Sequence, residues 1–118
     1  MAVSMVSQNV FAAGQITREH VQALAKQGYT DIVCNRPDEE HPDGPVSALI
    51  EQAATGLGLS FHYLPVDGYN APVEQARKLK HLAMQRNAKI LVYCRSGARS
   101  RSLWTLATSR GLDQTVSA

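Results

Sequence analysis

Ile90-Leu91-Val92-Tyr93 is the most apolar run of the chain, and it stops at Cys94-Arg95-Ser96-Gly97-Ala98-Arg99-Ser100 before a helical pattern resumes. A short apolar run bounded by turn residues reads as a strand buried on both faces. Such a strand needs cover on both sides. The surrounding sequence must therefore supply helices to both faces of a mostly parallel sheet.

The remaining pattern supplies them. Residues 9–13 read as a short first strand, and Gly14-Gln15-Ile16 turns into a helix capped by Thr17, with Val21, Leu24 and Ala25 inward and Gly28 at its end. Tyr29 to Cys34 is a β-branched strand, followed by a polar loop from Asn35 to Gly44. Pro45 suits the first turn of a second helix, whose expected inner face is Val46, Leu49, Ile50 and Ala53, closed by Gly58. Leu59 to Val66 reads as a strand and Asp67-Gly68-Tyr69-Asn70 as a loop. A third helix then starts near Pro72 with Val73, Ala76, Leu79 and Ala83 inward. The fourth helix carries Leu103, Trp104, Leu106 and Ala107, with Trp104 expected in the core and Gly111 as the stop. The expected fold is α/β, three-layered, with a mostly parallel four- to five-stranded sheet and helices on both faces. Residues 1–118 read as one domain. A tail from Leu112 to Ala118 begins like another helix at Asp113 and then runs out.

Composition narrows the function. A formal net charge of +2 from 12 Lys+Arg and 10 Asp+Glu is too mild to imply nucleic acid. Basic residues crowd the second half at Arg77, Lys78, Lys80, Arg86, Lys89, Arg95, Arg99 and Arg101, which suits a small anionic substrate or phosphoester; Arg77, Lys78 and Lys80 read as a solvated helix face. No apolar run approaches membrane-spanning length, and the first ten residues lack the pattern of a secretory signal. Cys34 and Cys94 form neither a disulfide scaffold nor a cysteine-pair zinc motif, so the expectation is a cytoplasmic protein with reduced thiols. His20, His41, His62 and His81 sit in different elements without ligand spacing, and neither metal nor cofactor is expected. Oligomeric state leaves no trace in the sequence.

Chemistry concentrates after the apolar strand. In open α/β sheets ligands bind beyond the carboxyl ends of the strands, where Cys94 stands. Ser96, Gly97 and Ala98 are small enough for a curl that turns successive N–H groups inward as an anion nest, with Ser100 completing the loop and Arg95 and Arg99 flanking it. The helix that follows adds positive potential at its N-terminus. Each feature lowers a thiol pKa, and the thiolate is the nucleophile. Arg99 suits two-pronged oxyanion binding.

Together with Gly14-Gln15-Ile16-Thr17, Asn35-Arg36-Pro37-Asp38-Glu39-Glu40 and Leu64-Pro65-Val66-Asp67, the segment Tyr93-Cys94-Arg95-Ser96-Gly97-Ala98-Arg99-Ser100 resembles the phosphatase-like domain of the beta-lactamase-hydrolase-like family over about Val10 to Leu112. The resemblance implies a fold similar to dual-specificity tyrosine phosphatases and a cysteinyl-phosphate mechanism. Cys94 would attack phosphorus, the loop N–H groups and Arg99 would hold the phosphoryl oxygens, and Asp67 would serve as general acid and then base. Arg36 would add an anion contact. Two departures stand out: Tyr93 replaces the histidine before the cysteine, and the spacing is Cys-x4-Arg rather than Cys-x5-Arg. The shorter loop looks like that of a rhodanese, which implies the alternative of a sulfurtransferase carrying a persulfide on Cys94. Against it, the segments typical of rhodanese N-terminal halves are absent.

Other residues keep bland alternatives. Asp67 before Gly68 serves equally as a turn residue. Arg36 serves as an anion contact or as a salt bridge to the acidic loop. Asp38, Glu39 and Glu40 read as solvated charge or as a mobile acid. Cys34 is a small buried hydrophobe or a thiol that resolves oxidised Cys94, provided the two Cα atoms lie within about 7 Å.

Overall fold

The computed structural model describes residues 1–40, 42, 45–67 and 72–109. The expected loop positions Gly44 and 68–70, the histidine at 41, the Gly111 stop and the tail from Leu112 lie outside the described residues. Ten elements follow in the order β1 (Val3–Met5), β2 (Val10–Ala13), α1 (Arg18–Lys26), β3 (Asp31–Cys34), a 3-10 turn (Asp38–Glu40), α2 (Ser47–Gly56), β4 (Ser60–Tyr63), α3 (Val73–Ala83), β5 (Ile90–Tyr93) and α4 (Ala98–Ala107).

The strands form one sheet in the order β1-β2-β5-β3-β4. β5 runs parallel to β2 and β3, and β4 runs parallel to β3; β1 is antiparallel at the edge. The α/β class and the mostly parallel sheet expected from the sequence are what the chain forms. β1 carries no sequence signal: its residues Val3, Ser4 and Met5 are all exposed, so no apolar alternation marks it.

Alternation along β5 assigns the two cores. Ile90 and Val92 pack with Val10, Ala12, Val33, Ala76 and Leu79 of α3, and Leu103 and Ala107 of α4. Leu91 and Tyr93 face Ile32, Cys34, Val21 and Leu24 of α1, and Ile50 and Ala54 of α2. β5 is buried at every residue, as a central strand covered on both faces must be. Trp104 lies partly buried against the α3–α4 core.

Helix ends follow local chemistry. Thr17 caps α1 by accepting from the His20 N–H, while the His20 ring accepts from the Thr17 N–H in return. α2 departs from expectation. It begins at Ser47, so Pro45 precedes it. Its buried residues are Ser47, Ile50 and Ala54, whereas Val46 and Leu49 are 38% and 42% exposed. The face is rotated because Asp38 anchors the first residue: its carboxylate accepts from the Ser47 N–H at 2.9 Å and the Ser47 hydroxyl at 2.8 Å. No helix among the described residues is long and apolar enough to cross a membrane.

Candidate active site

The site grows from the C-terminal end of β5. Beyond Tyr93 the chain holds to β2, with the Cys94 N–H donating to the Ala13 carbonyl at 3.3 Å and the Gln15 N–H donating to the Arg95 carbonyl at 3.1 Å. Gly14 permits this approach, since a Cβ there would lie 3.0 Å from the Arg95 oxygen. Gly97 then adopts φ +93°, where a side chain would be strained and its Cβ would press within 3.3 Å of the Ala13 carbonyl carbon. α4 starts at the next residue, earlier than a loop running to Ser100 requires, so Ala98, Arg99 and Ser100 form its first turn.

The curl brings the Gly97 N–H to the Cys94 sulfur at 3.0 Å. Cys94 is wholly buried. Burial opposes ionisation, but the N–H and hydroxyl of Ser100 and the N–H groups of Gly97 and Ser96 outweigh it and bring the thiol below its ordinary value. Ser96, Gly97 and Ser100 thus converge on the sulfur. Ala98 is exposed on the helix start, and Arg95 is exposed on the outer side of the loop.

Arg99 is aimed from the first turn of α4. Its Nη1 donates to Glu40 Oε2 at 2.6 Å and to the Val66 carbonyl at 2.8 Å, and its Nη2 donates to Glu40 Oε1 at 2.7 Å. The Glu40 hydrogen bond raises the Arg99 pKa, and the same contact lowers that of Glu40. The nearby Cys94 sulfur adds a smaller upward push on Arg99. Nε and the second Nη2 hydrogen make a further fork of the kind that matches an oxyanion.

Arg36 is buried, with 2% of its surface exposed. Its Nη1 donates to Gln15 Oε1 at 3.0 Å and its Nη2 to the Glu40 carbonyl at 3.3 Å, while Nε stands 3.5 Å from Glu40 Oε1. The salt bridge to the acidic loop is therefore formed. Reading Asp38 and Glu40 as solvated charge needs correction, because Glu40 joins Arg36 to Arg99 and Asp38 anchors α2, whereas Glu39 is exposed as expected.

Asp67 is exposed at the end of the described segment after β4. Its neighbour Val66 donates its N–H to the Asn35 carbonyl at 2.9 Å and accepts from Arg99, so the Asp67 backbone is held beside the site. Cys34 opposes Tyr93 in register and lies in the α1–α2 core, near enough to Cys94 for the two thiols to feel each other's charge. Its sulfur donates to the Arg36 carbonyl at 3.3 Å, and burial pushes its thiol up. Both cysteines are free thiols. The Tyr93 hydroxyl, which stands where the related motif has a histidine ring, is buried and has no well-aligned hydrogen-bond partner among the described residues; it lies close enough to Cys34 to act on that thiol.

One site residue carries no signal in the sequence alone: Asn35 is wholly buried and binds Ser100 Oγ at 2.8 Å. Glu40, expected as solvated charge or a mobile acid, is instead the ion-pair partner of Arg99, and it stands four residues after Arg36, a helical ion-pair spacing.

The phosphatase-like domain of beta-lactamase hydrolase-like proteins matches residues 2–111 as a family model. A beta-lactamase hydrolase-like protein of Xylella fastidiosa is 26% identical over 107 residues, covering 91% of this chain and 25% of the relative. The chain thus spans about a quarter of the length of such curated relatives. A crystal structure from Neisseria meningitidis, described as a candidate phosphatase, is 30% identical with a TM-score of 0.77, covering 88% of this chain and 74% of that one. The core catalytic domain of a PP-IP phosphatase from S. cerevisiae, solved in complex with citrate, is 18% identical with a TM-score of 0.62, covering 96% of this chain and 81% of that one. The latter likeness shows a shared phosphatase fold.

Proposed function

Since the chain belongs to the phosphatase-like domain family of beta-lactamase hydrolase-like proteins, we propose that it is a cysteine-dependent hydrolase of small anionic phosphoesters. The observation that carries this reading is the Cys94 sulfur, ringed by N–H groups at the start of α4, with the Arg99 guanidinium beside it.

In the proposed reaction the Cys94 thiolate attacks phosphorus. The P–S bond forms as the bond to the leaving oxygen breaks. The loop N–H groups and the Nε–Nη2 fork of Arg99 bind the phosphoryl oxygens, where charge develops. Asp67 gives its proton to the leaving oxygen, then takes one from the water that cleaves the P–S bond and regenerates the thiolate. Glu40 is a poor candidate for this acid, because Arg99 holds its carboxyl ionised. Arg36 acts through Glu40, keeping that carboxylate on Arg99. A reducing compartment, the cytoplasm, keeps both thiols available.

The Cys-x4-Arg spacing favours one other reading, sulfur transfer through a Cys94 persulfide. Reduced protein is incubated with an activated aryl phosphate, and in parallel with thiosulfate and cyanide, each beside Cys94→Ser. Phosphate release that needs Cys94 supports the hydrolase. Thiocyanate that needs Cys94, without phosphate release, replaces the hydrolase with a sulfurtransferase.

A further inference from the structure

Asn35 follows β3 and is wholly buried. Its N–H donates to the Tyr93 carbonyl at 2.8 Å, and its carbonyl accepts from the Val66 N–H at 2.9 Å. Its side-chain Nδ2 donates to the Leu64 carbonyl at 2.9 Å, and Oδ1 accepts from Ser100 Oγ at 2.8 Å. One side chain and its peptide groups thus join the strand before Cys94, the segment before Asp67 and the first turn of α4.

The Leu64 carbonyl decides how this amide is turned. A carbonyl only accepts, so it must face Nδ2, and Oδ1 is left facing Ser100. Oδ1 also only accepts, so Ser100 must donate. A serine hydroxyl has a single proton. Ser100 is wholly buried too, and its hydroxyl is also a neighbour of the Cys94 sulfur. It cannot give that proton to both.

We infer that Asn35 is a positioning residue that competes with the Cys94 thiolate for the hydroxyl proton of Ser100, and so restrains the ionisation of Cys94. While Cys94 is a thiol or carries a covalent group, Ser100 donates to Asn35 Oδ1 and turns a lone pair to the sulfur. When the thiolate forms, the thiol proton leaves to water and the hydroxyl turns to Sγ. Its proton stays on Ser100 throughout, and only the hydrogen bond moves. Asn35 Oδ1 then loses its donor in a buried site, which is costly. The consequence is a sign. Removing the Asn35 acceptor makes Cys94 more acidic, whereas merely loosening a thiolate-binding loop makes it less so. The inference rests on Cys94 as the nucleophile, and it holds for either chemistry at the sulfur.

The test is a titration of thiolate ultraviolet absorbance against pH in a Cys34→Ala background, where Cys94 is the only thiol. Asn35→Leu is expected to lower the midpoint, raising the thiolate fraction below it about two- to tenfold, the factor one net hydrogen bond carries. Ser100→Ala is expected to abolish that response, so that adding Asn35→Leu to it moves nothing further. A midpoint that rises in Asn35→Leu, or a response that persists without Ser100, overturns the inference. Should Asn35→Leu not fold, the carbon resonance of the Asn35 side-chain carbonyl is followed in the unsubstituted chain. It is expected to move with the Cys94 titration and to stay still in Cys94→Ala; a resonance that ignores the Cys94 midpoint overturns the inference as well. None of these readings needs turnover. A chain that shows the shifts but hydrolyses no phosphoester sinks the proposed hydrolase and upholds the role of Asn35.

Discussion

Glu40 and Arg99 meet in a two-pronged ion pair across 59 positions of sequence, with Nη1–Oε2 at 2.6 Å and Nη2–Oε1 at 2.7 Å. The pair ties the turn after β3 to the first turn of α4 and holds the guanidinium beside the Cys94 loop. Both side chains are part-exposed, at 33% and 27%, so the pair serves aim more than stability.

Replacing Glu40 by Gln removes the charge and keeps the shape. Turnover is expected to fall about tenfold or more through misplacement of Arg99, with stability reduced by at most about 1 kcal/mol. The Glu40 pKa is depressed on folding, chiefly by the Arg99 hydrogen bonds. Its contribution is therefore full above the ordinary glutamate value of about 4.3 and is lost as pH falls through the lower folded value. Denaturant unfolding of both proteins across the acid range should show curves that converge at the acid end. A constant gap would refute the ionic origin.

The two thiols should titrate apart. In Cys34→Ala the remaining Cys94 is expected to ionise below the ordinary thiol value of about 8.5, because N–H groups and the Ser100 hydroxyl overcome burial. In Cys94→Ala the remaining Cys34 is expected to ionise above it, because burial dominates there. The depressed Cys94 value stabilises the fold fully above the unfolded midpoint, and that contribution disappears as pH falls through the folded one. Thiolate absorbance checks the order, and reversed midpoints would remove the basis for a Cys94 nucleophile.

Gly97→Ala places a side chain in the left-handed region beside the Ala13 carbonyl. The expected loss is about 1–2 kcal/mol of stability. The Cys94 midpoint should rise as well, because the Gly97 N–H that meets the sulfur at 3.0 Å is displaced. Unfolding and thiol titration of the same variant separate the effects. Lost stability with an unmoved midpoint would show that this N–H does not tune the sulfur.

Asp67→Asn tests the acid. For an aryl phosphate with a poor leaving group, turnover is expected to fall about a hundredfold to ten-thousandfold. For an activated one the first step needs no proton and the fall should be small. Equal losses with both substrates would remove Asp67 from proton transfer.

Asp38→Ala should lower stability by about 1 kcal/mol, the scale of a lost helix cap, since its carboxylate holds both the N–H and the hydroxyl of Ser47. The Cys94 midpoint should not change. A shift there would mean that the turn carrying Glu40 moves with the start of α2.

Several elements were legible because their causes are local. Thr17 marked the start of α1, and the all-apolar β5 marked the sheet centre. Where the cause is remote, the reading drifted. The apolar pattern favoured Val46 and Leu49 as the inner face of α2, but Asp38 fixes the helix phase through Ser47, and both residues lie toward solvent. β1 borrows its strand geometry from β2 and buries nothing of its own.

Local sequence alone specifies the Cys94 loop and its cradle. Apolar strand, small-residue curl and helix start are contiguous, and the groups that lower the Cys94 thiol, the N–H groups of Ser96, Gly97 and Ser100 and the Ser100 hydroxyl, all lie within six residues of it. What surrounds that cradle comes from long-range packing. Glu40 reaches Arg99 across 59 positions and Asn35 reaches Ser100 across 65. Parallel pairing of β3 with β5 sets Cys34 level with Tyr93, which brings the segment after β3 to the side of the loop after β5. A parallel register between strands so far apart in sequence follows from how the helices between them pack, and no local pattern records that.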